Sequence, residues 1–427
     1  MLNYISNVID SKKATYFIFF LFILKIIFGI YLTNSNPDFF TTEDSESYIS
    51  PAKHLCEVGR FLNAANDPDT FRTPGFSIIL MPAICFDLDL KYYIIFLNSF
   101  MVLFTAYFIS KILKVMNISL NSKFIYLFFL LDPTLSRYQY NILSEIVFLF
   151  IFTVVFYAFI LGLSKKNPYY FFGGFVVITI ATFIRPITLY LPYFLCIILC
   201  MFYIFKKSYR INFRFSLIIA SLIGVLFHFL LTELWSHRNY KETGLKAFSY
   251  QGTVVLYHYI NAAIIAKVEK KDWKIVNEDL IQKSHSVSKQ EFYEFAKEEL
   301  IDNIIKHPIA AIQVGIKGAF MTYLTPGTGQ FSKMFNIDKK NYQIANNLFI
   351  IYGMIWILIV WIFSSYGFIK IEKNTFFLIL AITLVYLTLV SSGPQSYSRY
   401  RVPFYPIIAL FLSVGIKNFF EKYKSKF

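Results

Sequence analysis

The sequence predicts an all-α polytopic membrane protein of about ten transmembrane helices, with two long outer segments carrying short amphipathic helices. Composition, block length and charge placement predict it. Of 427 residues, 56% are apolar, 20% aromatic and only 16% charged, against roughly 25% charged in an average soluble domain. The apolar residues fall in continuous blocks near the ~20 residues a bilayer-crossing helix needs. They do not alternate as barrel strands would. This composition excludes a disordered chain, a coiled coil and a small disulfide-stapled module. The net charge is +15, from 41 Lys and Arg against 26 Asp and Glu. Such an excess suits nucleic acid, anionic lipid or a phosphate-bearing substrate, and its placement decides between them.

Ten blocks qualify: 14–33, 91–112, 123–140, 141–163, 169–187, 188–205, 213–235, 344–363, 374–392 and 402–419. The first is expected to stay as a span, because its apolar run is long for a signal peptide and no small-x-small cleavage site follows it. Lysines and arginines crowd one set of connections: Lys12 and Lys13; Lys111, Lys114 and Lys123; Lys165 and Lys166; Lys206, Lys207, Arg210 and Arg214; Lys370 and Lys373; and Lys417 to Lys426. The short loops of the opposite set hold only Arg137, Arg185, Arg399 and Arg401. The positive-inside rule places both termini in the cytoplasm, in keeping with an even number of crossings. The chain then divides into an N-terminal transmembrane module, 1–235, with an outer loop at 34–90; an outer helical region, 236–343; and C-terminal transmembrane helices, 344–427. The basic residues lie mostly at headgroup positions and call for membrane lipid, not nucleic acid.

The outer region carries one clear helix signature. Ser288 and Glu291 form a capping-box pattern. Phe292, Phe295, Leu300, Ile301, Ile304 and Ile305 follow at near-helical spacing, and His307-Pro308 ends the run. This predicts an amphipathic helix on the membrane or on the bundle, with ordinary packing and substrate binding both open. Segment 265–299 is the most polar stretch and suits a mobile flap. Cys196 and Cys200 lie one turn apart in a span as small apolar side chains. Cys56 and Cys85 both fall in the outer loop, where a bridge is open but not fixed by spacing.

Several ionisable residues do not suit a passive bundle. Glu43, Asp44 and Glu46 crowd three carboxylates into four positions, beside Tyr48. Crowding near apolar surface can raise a carboxyl pKa and create a general base, or a set can hold a divalent cation. A solvated loop, or a cap for a helix starting near Ser47, explains the same residues. Pro74-Gly75 reads as a chain reversal, with Arg72 beside it able to grip phosphate bidentately or to reach lipid headgroups. Glu145, Arg185, Arg399 and Arg401 stand at outer ends of spans, where ionisable groups need a partner or a wet cavity. Acids with arginines at one water–lipid boundary suggest a lipid-phosphate substrate. Lys25 and Asp132 fall near mid-span and are expected to pair with each other. His54 can reach the acidic segment, though a lone His is more often a local hydrogen-bonder. There is no Gly-x-x-x-x-Gly-Lys-Ser/Thr phosphate loop, no His-Glu-x-x-His pair and no Gly-x-Ser-x-Gly turn.

These residues resemble a family. The order is a first span, the segment Asp44-Ser-Glu46-Ser-Tyr48, then Gly59-Arg60-Phe61, then Arg72-Thr-Pro-Gly75-Phe76. It continues with Asn141-Ile-Leu-Ser-Glu145, Phe183-Ile-Arg185-Pro186, Arg238-Asn239-Tyr240 with Gly244, His307-Pro308 and Arg399-Tyr-Arg401-Val-Pro403. The run resembles bacterial membrane glycosyltransferases of the GT-C fold, related to protein O-mannosyltransferases and lipid A aminoarabinose transferases. It covers nearly the whole chain. The resemblance implies a GT-C-like helix arrangement and a sugar donor on polyprenyl phosphate. It implies inverting transfer on the outer face of a bacterial inner membrane to a lipid, glycan or protein acceptor. Asp44 matches the catalytic acid, in the role of general base, and Glu145 a second site acid. Arg72, Arg185 and Arg401 would neutralise the leaving phosphate, with Glu46, Tyr48, Arg238 and Arg399 as further substrate-binding positions. The segment Glu-Asp-Ser-Glu leaves Glu43 and Glu46 open as alternative bases. Metal-independent transfer without a cofactor is expected. A polysaccharide polymerase or ligase, or a lipid-linked sugar transporter, would share the outer arginines. A transporter, however, would place ionisable groups along a mid-membrane path, often in repeats.

Overall fold

The computed structural model describes residues 12–120, 122–205, 215–337, 339–394 and 397–424. Lys206, Lys207, Arg210, Arg214 and Lys426, used above to orient the chain, lie outside the described residues, as does the start of block 213–235.

The described residues are mainly helical, with no strand beyond an isolated bridge between Leu62 and Pro68. In order, α1 is Lys12–Ser35, α2 Glu46–Val58, α3 Pro74–Cys85, α4 Leu90–Val115, α5 Ser122–Leu131, α6 Pro133–Tyr138, α7 Glu145–Ser164, α8 Pro168–Ile184, α9 Leu191–Phe205 and α10 Phe215–Thr243. The outer region holds α11 Gln251–Val254, a π-helical turn Val255–Asn261, α12 Ala262–Glu269, α13 Trp273–His285, α14 Lys289–Lys306, α15 Pro308–Leu324 and α16 Phe331–Met334. The chain ends with α17 Lys339–Lys370, α18 Thr375–Ser391, α19 Ser398–Arg401 and α20 Tyr405–Lys424. Local sequence sets many of the starts. Asp89, Asp132, Asn167, Asp272 and Asn374 each accept a backbone N–H of the first turn. Pro74, Pro133, Pro168 and Pro308 occupy first positions that need no N–H.

Among the described residues, seven helices are long and apolar enough to cross a membrane: Lys12–Ser35, Leu90–Val115, Glu145–Ser164, Pro186–Phe205, Phe215–Thr243, Asn341–Lys370 and Ser398–Lys422. Ten blocks were expected. Blocks 169–187 and 374–392 form helices of 17 residues, α8 and α18, each about 25 Å long against a ~30 Å apolar layer. Block 123–140 is not one helix. Asp132 leaves helical geometry to cap α6, so the run breaks into α5, α6 and a buried irregular stretch up to Ser144. Apolar composition hides that break, because only the Asp-Pro pair marks it.

The core lies where α4, α7, α8 and α20 meet, filled by Ile94, Val102, Phe148, Phe152, Phe156, Phe175 and Ile407. Residues 401–415 are buried without interruption, so α20 is the central helix. Large apolar side chains on the outside, such as Phe17, Phe20 and Ile27 of α1 or Ile351 and Leu358 of α17, face the surroundings, as a lipid-bathed bundle requires.

The π-helical turn and α12 to α14 build a second, smaller core from Tyr257, Ala262, Val276, Leu280, Phe292 and Ala296. Segment 265–299 is therefore the end of α12, all of α13 and most of α14, packed with their own cluster. The capping box is present: Glu291 N–H donates to Ser288 Oγ at 3.3 Å, and Ser288 N–H to Glu291 Oε2 at 2.9 Å. The apolar face of α14 splits. Phe292 and Leu300 are buried, whereas Ile301, Ile304 and Ile305 are exposed. Cys56 and Cys85 are joined in a disulfide between α2 and α3, with their Cα atoms 5.5 Å apart.

Candidate active site

Five elements bring charged side chains to one end of the bundle. The turn before α2 supplies Asp44, and the loop before α3 supplies Arg72. The first residue of α7 is Glu145, and Arg185 follows the last residue of α8. The short helix α19 adds Arg399.

The loop geometry is built locally. Asp69 accepts the backbone N–H of Phe71 at 2.7 Å and of Arg72 at 3.2 Å, which folds the loop and aims Arg72 inward. Burial pushes the Asp69 carboxyl above its ordinary value, against those two hydrogen bonds. Gly75 then allows close approach. A Cβ there would lie 2.6 Å from the backbone of Phe183, so α3 packs directly on the end of α8, two residues before Arg185. Pro74-Gly75 was expected as a chain reversal. It starts a helix instead, because Pro suits the first helical position and Gly the contact.

The charges form one network. Arg72 Nη2 meets Asp44 Oδ1 at 2.5 Å. Arg72 also donates to Ser47 Oγ at 2.8 Å and Tyr48 Oη at 3.1 Å, with its guanidinium 4.4 Å from the Tyr48 ring centroid. Arg399 bridges the two acids, through Nη1 to Asp44 Oδ2 and Nε to Glu145 Oε1. Arg185 Nη1 lies 2.5 Å from Glu145 Oε1. The contact lacks hydrogen-bond alignment, and Glu145 Oε2 is left with no donor although fully buried.

The two acids differ in access. The Asp44 side chain is 35% exposed, that of Glu145 0%. Burial alone would raise the Asp44 carboxyl, but the charges of Arg399 and Arg72 outweigh it and hold it below its ordinary value. An open acidic loop was expected to crowd three carboxylates and raise one of them. The structure separates them. Glu43 and Glu46 are exposed, and Glu46 Oε1 accepts Ser50 Oγ one turn along α2. Among the three, only Asp44 enters the network.

The other expected site residues scatter. Arg401 is buried away from the acids. It donates to the carbonyls of Thr322, Tyr323 and Thr325 at the end of α15 and to Thr134 Oγ1 at 2.8 Å. A cation suits a helix C-terminus. Arg238 donates to the carbonyls of Asp69 and Phe61, both at 2.8 Å, and so holds the Arg72 loop from outside. His54 Nδ1 lies 3.2 Å from the Leu62 carbonyl oxygen, a local contact. Lys25 and Asp132 do not form an ion pair. Lys25 donates to Ser136 Oγ at 2.8 Å and Gln139 Oε1 at 3.0 Å. Asp132 instead accepts from Leu135 N–H, Trp356 Nε1 and Tyr405 Oη.

Sequence reasoning missed several contributors. Ser47 and Asp69 shape Arg72. Tyr259, on the π-helical turn, feels Asp44 and Glu43: burial first, then their charges, raise its phenol above the ordinary value. Trp273 stacks on Tyr259 with centroids 5.9 Å apart and donates to its carbonyl at 3.3 Å. A π-turn leaves no sequence signature, so nothing pointed to Tyr259. Among the described residues, no three His, Cys, Asp or Glu side chains gather as a metal site.

No protein-family model matches this chain, and no curated protein matches it either.

Proposed function

We propose that this chain is an integral-membrane glycosyltransferase. It moves a sugar from a polyprenyl-phosphate donor to an acceptor on the outer face of a bacterial inner membrane, with a GT-C-like arrangement of about ten crossings and both termini cytoplasmic. The observation that carries the reading is Asp44: a part-exposed carboxylate, held ionised by two arginines, over a buried acid with an unfilled acceptor oxygen. An acceptor hydroxyl can donate to Asp44 while its oxygen attacks the sugar carbon. The carbon–oxygen bond to the lipid phosphate breaks, the proton passes to Asp44, and the configuration inverts. A carboxylate of lowered pKa is a weak base, so its part is to orient the hydroxyl and take a proton released late. A fixed cation at the leaving phosphate favours the negative charge developing there.

Two features support the assignment. The disulfide Cys56–Cys85 belongs to the loop that carries the site, and disulfides persist on the oxidising side of a membrane. A π-helical turn beside Asp44 fits too, since such turns recur at functional sites.

Asp44→Asn removes the base and keeps the shape. It is expected to abolish transfer, measured with purified protein and lipid-linked sugar, while the protein still folds and inserts. Normal transfer by the folded variant would remove Asp44 from the chemistry. That outcome would favour the second reading, a polysaccharide polymerase or ligase, which the arginine excess of the network also suits.

A further inference from the structure

The arginines of the network are occupied. Arg72, Arg185 and Arg399 each meet a carboxylate, and Arg401 is spent on backbone carbonyls. A phosphate arriving there must compete with bonds already made. Beside the network lies a cavity of about 520 Å³ with a different character. Its lining includes Asp38, Arg137, Asn141, Gln330, Ser332 and Lys333. Thr41 and Thr42 also line it, so one short segment has the cavity on it and Asp44 two residues further on.

The two cations of the lining have no counter-ion among the described residues. Among the described residues, Arg137 makes no ion pair or side-chain hydrogen bond; its guanidinium lies 4.8 Å from the Tyr138 ring centroid. Lys333 is exposed, and its ammonium has no carboxylate partner among the described residues either. A second, independent observation is Ser332. It is 1% exposed, and its hydroxyl has no hydrogen-bond partner. A buried hydroxyl without a partner is costly unless something meets it. The walls are fixed by backbone ties: Asn36 Nδ2 donates to the Lys333 carbonyl at 2.6 Å and Asn141 Nδ2 to the Phe39 carbonyl at 2.6 Å. Among the described residues, the lining carries Arg137 and Lys333 against Asp38, a formal charge of +1.

We propose that this pocket binds the phosphate of a lipid-linked ligand, with Arg137 and Lys333 as counter-charges and the Ser332 hydroxyl as a hydrogen-bond donor. The guanidinium fork matches two phosphate oxygens, and the ammonium adds a point charge. The proposal rests on the transfer reading and sharpens it. The donor's phosphate occupies a site separate from the carboxylates, and the sugar reaches from it toward Asp44.

The test is binding, not turnover. The full chain in detergent is titrated calorimetrically with farnesyl phosphate, farnesol and inorganic phosphate. Farnesyl phosphate is expected to bind the wild type, with affinity roughly tenfold or more weaker in Arg137→Gln and in Lys333→Gln. Asp44→Asn is expected to bind as wild type. Lys333 is exposed, so its variant carries the test if Arg137→Gln fails to fold. Unchanged affinity in folded Lys333→Gln and Arg137→Gln would overturn the proposal. Inorganic phosphate binding as tightly as farnesyl phosphate would overturn the lipid assignment. Loss of binding in Asp44→Asn would overturn the separation of the two sites. The transfer reading fails separately, if deleting the gene accumulates no lipid-linked sugar.

Discussion

Asp44 and Glu145 are both acids in one network, yet their surroundings give them different work. Asp44 is part-exposed and ionised by its arginines, so its folded pKa lies below the ordinary 3.8. It therefore stabilises the fold above that value, and the contribution is lost as pH falls through the folded pKa. Transfer is expected to show no acid limb from Asp44 between pH 5 and 8; a pH–rate profile that halves near pH 6 for want of a carboxylate would contradict this. Glu145 is the structural counterpart. Glu145→Gln leaves Arg185 and Arg399 buried without their shared charge, a loss of about 3–5 kcal/mol. Thermal unfolding in detergent should register it as a large fall in midpoint, well beyond that of Asp44→Asn. The residue types were legible in the sequence, since acids and arginines at span ends need partners. Which acid would be chosen was not. Glu43, Asp44 and Glu46 are chemically close, and only the fold of the Asp69 loop and the reach of Arg399 separate them.

At the scale of elements, small residues decide how close helices come. A Cβ at Gly367 of α17 would lie 1.7 Å from the Phe411 carbonyl oxygen, and one at Gly415 of α20 would lie 1.9 Å from that of Phe363. Close backbone approach of this kind is a usual way to pack helices in lipid. Gly367→Ala is expected to force α17 from α20 at a cost of about 1–3 kcal/mol. Gly173→Ala in α8, with no neighbour within 4 Å of its Cβ, serves as the control and should leave the unfolding midpoint unchanged or raise it slightly. The long helices were readable from apolar block length alone. The capping box at Ser288 was readable too, because its chemistry is local. The division of 123–140 was not. Its residues are as apolar as a span, only Asp132-Pro133 marks the break, and the Trp356 and Tyr405 donors to the Asp132 carboxylate lie far along the chain.

For the whole molecule, composition made the class plain, since charged residues are scarce and the apolar blocks long. Sidedness enters through the disulfide. Cys56 and Cys85 are expected to resist a membrane-impermeant maleimide until reduced, and then to label in intact cells. Labelling without reductant, or only after the cells are opened, would contradict the outer placement of the site loop. The bridge was not legible from two cysteines 29 positions apart, because spacing alone does not say that α2 and α3 pack side by side.

The broken stretch 132–144 bears on how such a chain enters a bilayer. A straight apolar helix can leave the insertion machinery alone, with every backbone group satisfied within itself. This stretch cannot. Its polar groups find Lys25 of α1 and Asn98 and Ser99 of α4, which precede it. Asp132, however, finds partners 224 and 273 residues later in synthesis. Until Trp356 and Tyr405 are made, the Asp132 carboxylate lacks both of these donors. Helix α20 thus completes the partners of Asp132 as well as filling the core.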